Sequence, residues 1–295
     1  MQQKSKKTSL IMMILAMVIF GTIGIFRRYI PWSSGMLAFS RGLLGTAFLA
    51  VFVKIRGRKI RHQIGARKLI WLIVSGAVMG FNWILLFEAY HYTTVSVATL
   101  CYYMQPVILI LLSPLILKEK LLKKKLICAG IAILGMVLVS GVFEGGQNGP
   151  DQTKGILLGL AAAALYAAVI LINKSTGNVD PYERTIIQLA SSAAVMIPYL
   201  LVTEDFTQIT FDLKTVLLVL VVGLVHTGFA YALYFGCMEG LKAQTLAIFS
   251  YIDPITALIL SGLILQEALS PAGITGAVLI LGAAAVSELE FPRRQ

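Results

Sequence analysis

Two stretches of this sequence are related to each other: LCYYMQPVILILLSPLILKEKL at residues 100–121 and IFSYIDPITALILSGLILQEAL at residues 248–269. They align without a gap at a shift of 148 residues, and nine of the 22 aligned positions are identical. A shift of 147 residues also superposes the ILG segments at 133–135 and 280–282. The sequence therefore predicts an internal repeat, and the apolar run inside each stretch is typical of a membrane helix.

The composition is that of a membrane protein. Of the 295 residues, 58% are hydrophobic and 13% are charged, and the mean hydropathy is +0.83. A soluble core does not absorb so much apolar surface, which excludes a disordered chain, a nucleic-acid-binding domain and a disulfide-stapled secreted fold. The cysteines Cys101, Cys128 and Cys237 have no spacing typical of a metal site or a disulfide framework.

Ten stretches are long and apolar enough to cross a bilayer, which needs about 20 apolar residues per helix. We call them spans 1 to 10, at 8–26, 29–53, 69–87, 92–117, 126–143, 155–173, 185–203, 215–238, 243–266 and 268–287. The first stretch follows lysines as a signal peptide would, but it lacks a small-residue cleavage site, so we expect a retained helix. The expected fold is an all-α polytopic membrane protein with ten transmembrane helices.

The loop charges predict the orientation. Alternating loops on one side carry 20 of the 25 lysines and arginines, and the loops on the other side carry only Arg27, Arg28, Lys154 and Lys214. Because cytoplasmic loops are enriched in these residues, we expect a multi-pass protein of the plasma membrane with both termini in the cytoplasm. The net charge of +11 then reflects topology and gives no indication of a nucleic-acid partner.

The internal repeat divides the chain into two halves of five spans. We expect a first repeat at residues 1–145, an external linker at 146–151 and a second repeat at 152–295. An odd number of spans forces the second copy to insert upside down. Inverted repeats are typical of transporters that bind substrate near the midplane, where the halves meet.

One motif resembles a known family. A proline, a leucine and a glutamate recur with the spacing P-x10-L-x-E, first as Pro106, Leu117 and Glu119 and then as Pro254, Leu265 and Glu267. Together with Asp253 before Pro254 and with Arg41 in the segment FSRGLLG, the ten-span pattern resembles the EamA family of the drug/metabolite transporter superfamily. The resemblance covers essentially the whole chain and implies transport, but relatives carry amino acids, amines, nucleotide metabolites or vitamins, so it leaves the substrate open.

The first span departs from that family. It contains Phe20 and Gly21 where many relatives have a Trp-Gly pair. A stacking role for Phe20 is therefore not implied by the resemblance.

The prolines Pro106 and Pro254 fall about halfway along spans 4 and 9. Proline removes a backbone hydrogen bond, so we expect bent helices that act as hinges or line a cavity. The alternative is that proline is simply common in membrane helices.

Three ionisable residues lie inside spans. Asp253 could attract a cationic substrate or carry a coupling proton, or it could be structural; its counterpart in the first repeat is the neutral Gln105. Arg41 could pair with Asp253, meet an anionic group or snorkel outward, and the resemblance favours a structural or gating role. His226, near the middle of span 8, could be a pH-sensitive substrate contact or a donor between helices.

Aromatic side chains at mid-depth form a further candidate group. The predicted cavity residues are Phe20, Trp83, Tyr102, Tyr103, Tyr166, Tyr231, Tyr234 and Tyr251. They could stack on a planar substrate or surround an organic cation, or they could only pack between helices. Asn82, next to Trp83, is expected to be a polar contact in the same cavity.

The ends of spans 4 and 9 carry Glu119 and Glu267, which we expect to be structural or gating charges that accept amides at a helix N-terminus. Ser270 and Pro271 are predicted to be the N-cap and first residue of span 10. Four glycines are expected to allow close approach of helices for the scaffold or a dimer: Gly130, Gly135, Gly276 and Gly282.

No sequence pattern suggests catalysis. A Walker loop, an HExxH motif and a nucleophile elbow are all missing, so we expect neither an enzyme nor a metal or cofactor. The function indicated is a secondary active or exchange transporter of a small polar metabolite, namely an amino acid, an amine or an organic cation. Its expected partners are that small molecule and the bilayer, with a coupling proton and a monomeric or homodimeric state left open. The alternative is a non-transporting membrane sensor or membrane enzyme.

Overall fold

The computed structural model describes residues 6–57, 64–117, 122–139, 150–177, 179–238, 241, 245–246, 249–267 and 269–288. Within these ranges the protein is almost entirely helical and contains no strand. The helices fall on the predicted spans, so the protein is an all-α polytopic membrane protein.

Seven of the ten spans are long, apolar helices. The helices that are long and apolar enough to cross a membrane are Lys6–Arg28, Ser34–Ile55, Ala66–Tyr92, Val95–Leu112, Asp151–Thr176, Pro181–Thr203 and Leu213–Met238. Spans 5, 9 and 10 contain the shorter helices Lys123–Val139, Ile252–Ile264 and Pro271–Glu288. Spans 5 and 9 adjoin segments outside the described residues.

Side chains near the chain reversals start several spans. Ser33 and Thr94 accept hydrogen bonds from amides in the first turns of spans 2 and 4. Ser270 accepts one from the amide of Gly273, which confirms it as the N-cap of span 10. Asp212 caps span 8, where hydrogen bonds from Thr215 hold the pKa of its carboxyl below the ordinary value.

The spans pack in pairs that reflect the repeat. Span 3 packs on spans 6 and 7, and its counterpart in the second repeat, span 8, packs in the same way on spans 1 and 2. Span 4 packs on span 6, and its counterpart, span 9, packs on span 1. Spans 2 and 7 are counterparts of each other and pack together, and so are spans 5 and 10. Every one of these contacts is therefore recovered when the two halves are exchanged, as a pseudo-twofold relation between five-span repeats requires.

Spans 4, 8 and 9 depart from a regular α-helix. Span 4 is divided at Tyr103 and Met104 into the helices Val95–Tyr102 and Gln105–Leu117, and the last helix of span 9 begins at Ile252. Pro106 and Pro254 thus lie in the first turn of a half-helix, where a missing N–H is tolerated.

At the break in span 9, the carbonyl of Ser250, four residues before Pro254, accepts the amide of Asp253 at 3.3 Å. In span 8 the stretch Val221–Phe229 is π-helical. This form is rare in proteins, and where it does occur it often lies near a functional site.

The four glycines of spans 5 and 10 have different environments. A Cβ atom on Gly135 would lie 2.7 Å from the carbonyl oxygen of Gly276, and a Cβ on Gly276 would lie 2.5 Å from that of Gly135. These two positions let the helix backbones touch. A Cβ on Gly130 or Gly282 would meet nothing within 4 Å in the described part of the chain, so these two do not bring helices of this chain together, and a contact in a dimer stays a prediction.

We predict that Gly135→Ala destabilises the protein by about 1–3 kcal/mol, because the added methyl group must push two helix backbones apart. Gly130→Ala is the matched control and should leave stability unchanged or slightly raised, since alanine favours the helix. Thermal unfolding of both variants in detergent measures the difference. Equal Tm values for the two variants would contradict the assigned contact between spans 5 and 10.

Candidate functional site

A cavity of about 570 Å³ lies between the two repeats. Its wall comes mainly from spans 1, 3 and 4 of the first repeat and from their counterparts 6, 8 and 9 of the second. This volume is typical of a site for a small organic molecule. The cavity is therefore the candidate binding site.

Most of the residues predicted for the site line this cavity. They are Phe20, Arg41, Trp83, Tyr102, Tyr103, Gln105, Pro106, Tyr166, Tyr231, Tyr234, Tyr251 and Asp253. The wall also contains residues that the sequence did not single out: Met17, Met79, Tyr90, Thr99 and Ser250 among them. The structure brings these side chains together; their role in binding stays a prediction.

Arg41 is buried in the wall, with only 6% of its surface exposed, and two contacts fix its side chain. Its Nε donates a hydrogen bond to Oγ1 of Thr227 at 2.9 Å, from the π-helical stretch of span 8. Its guanidinium lies 4.1 Å from the ring centre of Trp83, a cation-π contact. Among the described residues, its two Nη groups have no hydrogen-bond partner, and Arg41 lines the cavity.

Asp253 lies on the opposite repeat and is partly buried. Its Oδ2 accepts a hydrogen bond from the hydroxyl of Tyr103 at 2.7 Å, and Oδ1 has no partner within the described part of the chain. Gly21 allows span 1 to approach closely here, because a Cβ atom on it would lie 2.5 Å from the Asp253 carbonyl oxygen. The carboxylate is thus fixed at one oxygen and open at the other.

Arg41 and Asp253 do not form an ion pair. In the described ranges no nitrogen of Arg41 lies within 4.0 Å of an Asp253 oxygen, and the ion pair that occurs there joins Arg28 to Glu267. A buried charge ordinarily pairs with the nearest opposite charge. Both groups line one cavity without doing so, which leaves room between them for a charged ligand.

Stacked and tilted rings form much of the remaining wall. The rings of Tyr102 and Tyr166 stack with centres 5.4 Å apart, and Phe20 and Tyr231 also lie 5.4 Å apart in a tilted arrangement. Such rings offer both apolar faces and hydroxyl groups to a ligand.

Two predicted contacts lie outside the wall. Asn82 is fully buried, donates to the Ala162 carbonyl at 2.5 Å and accepts from Tyr102, so it joins spans 3, 4 and 6. His226 bonds Oγ1 of Thr22 at 2.7 Å and lies between spans 1 and 8. Neither side chain is among the wall residues, because each contacts a neighbouring helix; for His226 this is the second of the two predicted alternatives.

Two further predicted positions also differ from the wall residues. Pro254 is buried beside the cavity without lining it. Glu119 lies outside the described residues.

Glu267 closes one end of the bundle, which we call the Arg28 end. Its Oε1 bonds Arg28 at 2.5 Å, while Oε2 accepts the amide of Val95 at 2.8 Å and the hydroxyl of Ser261 at 2.7 Å. Arg28 also donates to the carbonyl of Thr93. We call these five residues the Glu267 network; it ties span 9 to spans 1 and 4. The amide at a helix N-terminus was expected, but it belongs to span 4 and not to the following span.

The cavity stops one turn short of this network. The wall residues nearest to it are Gly24, Tyr90, Thr99 and Ala257, each three or four residues from a network member. A Cβ atom on Gly24 would lie 2.5 Å from a methyl carbon of Val95, so the Val95 side chain of span 4 packs directly against the backbone of span 1 there.

A second polar cluster lies at the same end. Arg27, which is 2% exposed, donates to the Ile30 carbonyl, to Ser34 and to His91, and Ser34 donates to Glu88. The charge pattern predicted Arg27 and Arg28 in a loop, whereas both belong to the helix Ile23–Arg28. Few basic residues lie on that side of the membrane, and this rarity was the signal that could have marked these two as structural charges.

The other end of the cavity reaches Lys125 of span 5 and Lys174 of span 6, and we call it the Lys125 end. Lys174 is exposed to solvent. Within the described part of the chain, the cavity therefore reaches one end of the bundle and stops short of the other.

A ten-span bundle with a central cavity between two repeats defines a polytopic membrane transporter. The chain belongs to the EamA-like transporter family, whose model matches residues 7–141 and, a second time, residues 153–288. This match confirms the family suggested by the motif.

Named relatives are similar over most of this chain. The uncharacterized transporter YxxF of Bacillus subtilis is 30% identical over 87% of this chain and 82% of its own. The probable amino-acid metabolite efflux pump of Salmonella typhimurium is 26% identical over 62% of this chain and 64% of its own. A solved crystal structure superposes with a TM-score of 0.66, 20% identity and 96% coverage of both chains, a likeness of fold alone.

We predict that Asn82→Leu lowers the free energy of unfolding by about 1–3 kcal/mol, because the Ala162 carbonyl and the Tyr102 hydroxyl each lose a buried partner. Gln105→Leu is the matched control, since Gln105 lines the open cavity. It should change stability by less than about 0.5 kcal/mol. Thermal unfolding in detergent gives both values, and a larger loss for Gln105→Leu would contradict the placement of Asn82.

Proposed function

We propose that this protein is a secondary transporter that carries a small polar metabolite, an amino acid, an amine or an organic cation, by alternating access. One observation carries the proposal: among the described residues, a cavity between the two repeats reaches the Lys125 end and is closed at the Arg28 end by the Glu267 network. A carrier needs such a site, open to one side at a time and surrounded by elements that can move against each other.

The proposal includes an orientation in the cytoplasmic membrane. The lysine-rich loops belong to the Lys125 end, so the positive-inside rule assigns that end and both termini to the cytoplasm. The conformation described here is then open to the cytoplasm and closed to the outside. A conformational change must break the Glu267 network and separate span 9 from spans 1 and 4.

The driving force is a coupled proton or the exchange of a second solute. Asp253 is the acidic residue of the described cavity wall and supports either, since a carboxylate there can bind a cationic group or take up a proton. A membrane sensor or enzyme is less well supported, because relatives over most of this chain are named as transporters.

The direct test is flux in liposomes that contain the purified protein. Vesicles loaded with one unlabelled solute should accumulate the labelled form of the same solute by counterflow, which needs no ion gradient. The panel comprises the twenty standard amino acids, short-chain amines and quaternary ammonium compounds, and protein-free vesicles are the control. If no member of the panel exchanges faster than in the control vesicles, the transport proposal is wrong.

We further expect Glu267→Gln to favour opening at the Arg28 end, because the amide cannot form the ion pair with Arg28. The two side chains are 29% and 15% exposed, so we assign the pair about 1–2 kcal/mol, which corresponds to a population shift of about 5- to 30-fold. A cysteine at Thr99, in a chain whose three native cysteines are replaced by alanine, reports that opening.

The rate at which a membrane-impermeant maleimide labels this cysteine from outside the cell should rise by that factor. Asp151→Asn is the matched control, because it removes one negative charge at the same end without touching the network. Equal labelling rates in the two variants would show that Glu267 does not hold this end closed.

A further inference from the structure

Two opposite charges line the cavity, and each has hydrogen-bonding groups without a partner among the described residues. Arg41 lines the cavity and bonds Thr227 through Nε, and neither of its Nη groups has a hydrogen-bond partner among the described residues. Asp253 also lines the cavity and bonds Tyr103 through Oδ2, and its Oδ1 has no such partner in the same ranges. Both anchoring bonds come from the protein wall, so each charge is held in position and keeps binding capacity toward the cavity.

The fixed anchors also explain why the two charges do not meet. Thr227 and the ring of Trp83 hold the Arg41 guanidinium on the span 2, 3 and 8 side. Tyr103 holds Asp253 on the span 4 and 9 side. A direct ion pair would satisfy both groups, and its absence within the described residues leaves two complementary sites facing one space.

We propose that the transported molecule is a zwitterion whose carboxylate binds Arg41 and whose ammonium group binds Asp253. This inference rests on the proposed transport function and narrows its substrate class. A carboxylate accepts two parallel hydrogen bonds from the Nη groups of an arginine, the geometry that a guanidinium prefers. The ammonium group donates to the open oxygen of Asp253.

Substrates of a single charge fit the wall less well. An amine or a quaternary ammonium ion would pair with Asp253 and leave Arg41 unpaired in the same cavity. A simple carboxylate would leave Asp253 unpaired in the same way. A molecule that carries both charges satisfies both groups and enters with no net charge, which lowers the cost of leaving water.

The mouth of the cavity also disfavours a bare cation. Lys125 lies at the Lys125 end, and with Arg41 it makes two positive charges against the one negative charge of Asp253 in the described wall. A cation entering by this route meets repulsion before it reaches Asp253. A zwitterion can enter with its carboxylate leading, because Lys125 attracts that group.

The test compares ligands that differ by one charged group. Binding to the purified protein is measured by calorimetry for the twenty standard amino acids, β-alanine, γ-aminobutyrate and glycine betaine. Each binder is then compared with the amine that lacks its carboxylate and with the acid that lacks its amino group; for leucine these are 3-methylbutylamine and 4-methylpentanoate. We expect at least one zwitterion to bind, and both of its analogues to bind at least tenfold more weakly.

Two variants assign the groups. Arg41→Gln should weaken the zwitterion at least tenfold and leave the affinity of its amine analogue unchanged. Asp253→Asn should weaken the zwitterion similarly and leave the acid analogue unchanged. Lys68→Gln and Asp151→Asn, charges outside the wall, are the controls and should change none of these affinities. A merely structural role for Arg41 or Asp253 would weaken all three ligands together.

The proposal is overturned if none of the zwitterions binds, if an amine or acid analogue binds as tightly as its parent, or if each variant weakens all ligands equally. Should Arg41→Gln fail to fold, the analogue series on the unmodified protein and the Asp253→Asn variant decide the question. Counterflow of an amine without zwitterion binding would refute this inference and keep the transporter. If Arg41→Gln spares the amine analogue and Asp253→Asn spares the acid analogue, but no solute shows flux, the zwitterion site stands and the transport proposal is wrong.

Discussion

The cost of placing charge in an apolar layer governs this molecule. Basic residues are concentrated in the loops of one side, and the ionisable residues that remain inside are each tied to the protein. Arg41 lies against Trp83 and bonds Thr227, and Glu267 accepts bonds from three different spans. The charges therefore occur in two places: Arg41 and Asp253 line the cavity, and the Arg28–Glu267 ion pair lies at the Arg28 end.

The repeat supplies the frame, and differences between its halves supply the chemistry. Aligned positions keep the same packing: the Tyr103 and Tyr251 rings are paired across the pseudo-twofold, with centres 6.4 Å apart. Two positions on, the halves differ, since Gln105 of the first repeat is neutral and Asp253 of the second is acidic. A symmetric scaffold thus encloses an asymmetric site, in which one wall is negative and another, through Arg41, is positive.

The sequence predicted the spans and the repeat, and most of the residues that it singled out for the site line the cavity. It could not predict the partners of Glu267, since Arg28 and Val95 are 239 and 172 residues away in the chain. It also could not separate Gly135 from Gly130. Both faces of a membrane helix are apolar, so periodicity does not reveal which face meets a neighbour and which meets lipid. Adjacent residues such as Asn82 and Trp83 point about 100° apart around the helix axis, so they face different surroundings, and the sequence does not show which of them faces the cavity.

The π-helical stretch Val221–Phe229 gives span 8 a register that an α-helix of equal length would not have. A π-turn holds more residues than an α-turn, so the residues after it are rotated about the helix axis by about 100° for each extra residue. Tyr231 and Tyr234 follow the stretch directly and owe their place in the wall to that rotation. Loss or gain of a single residue within it would turn both rings away from the cavity without changing the residues of the other spans. Relatives of the same length and fold could therefore differ in what their cavities accept through the register of this one helix.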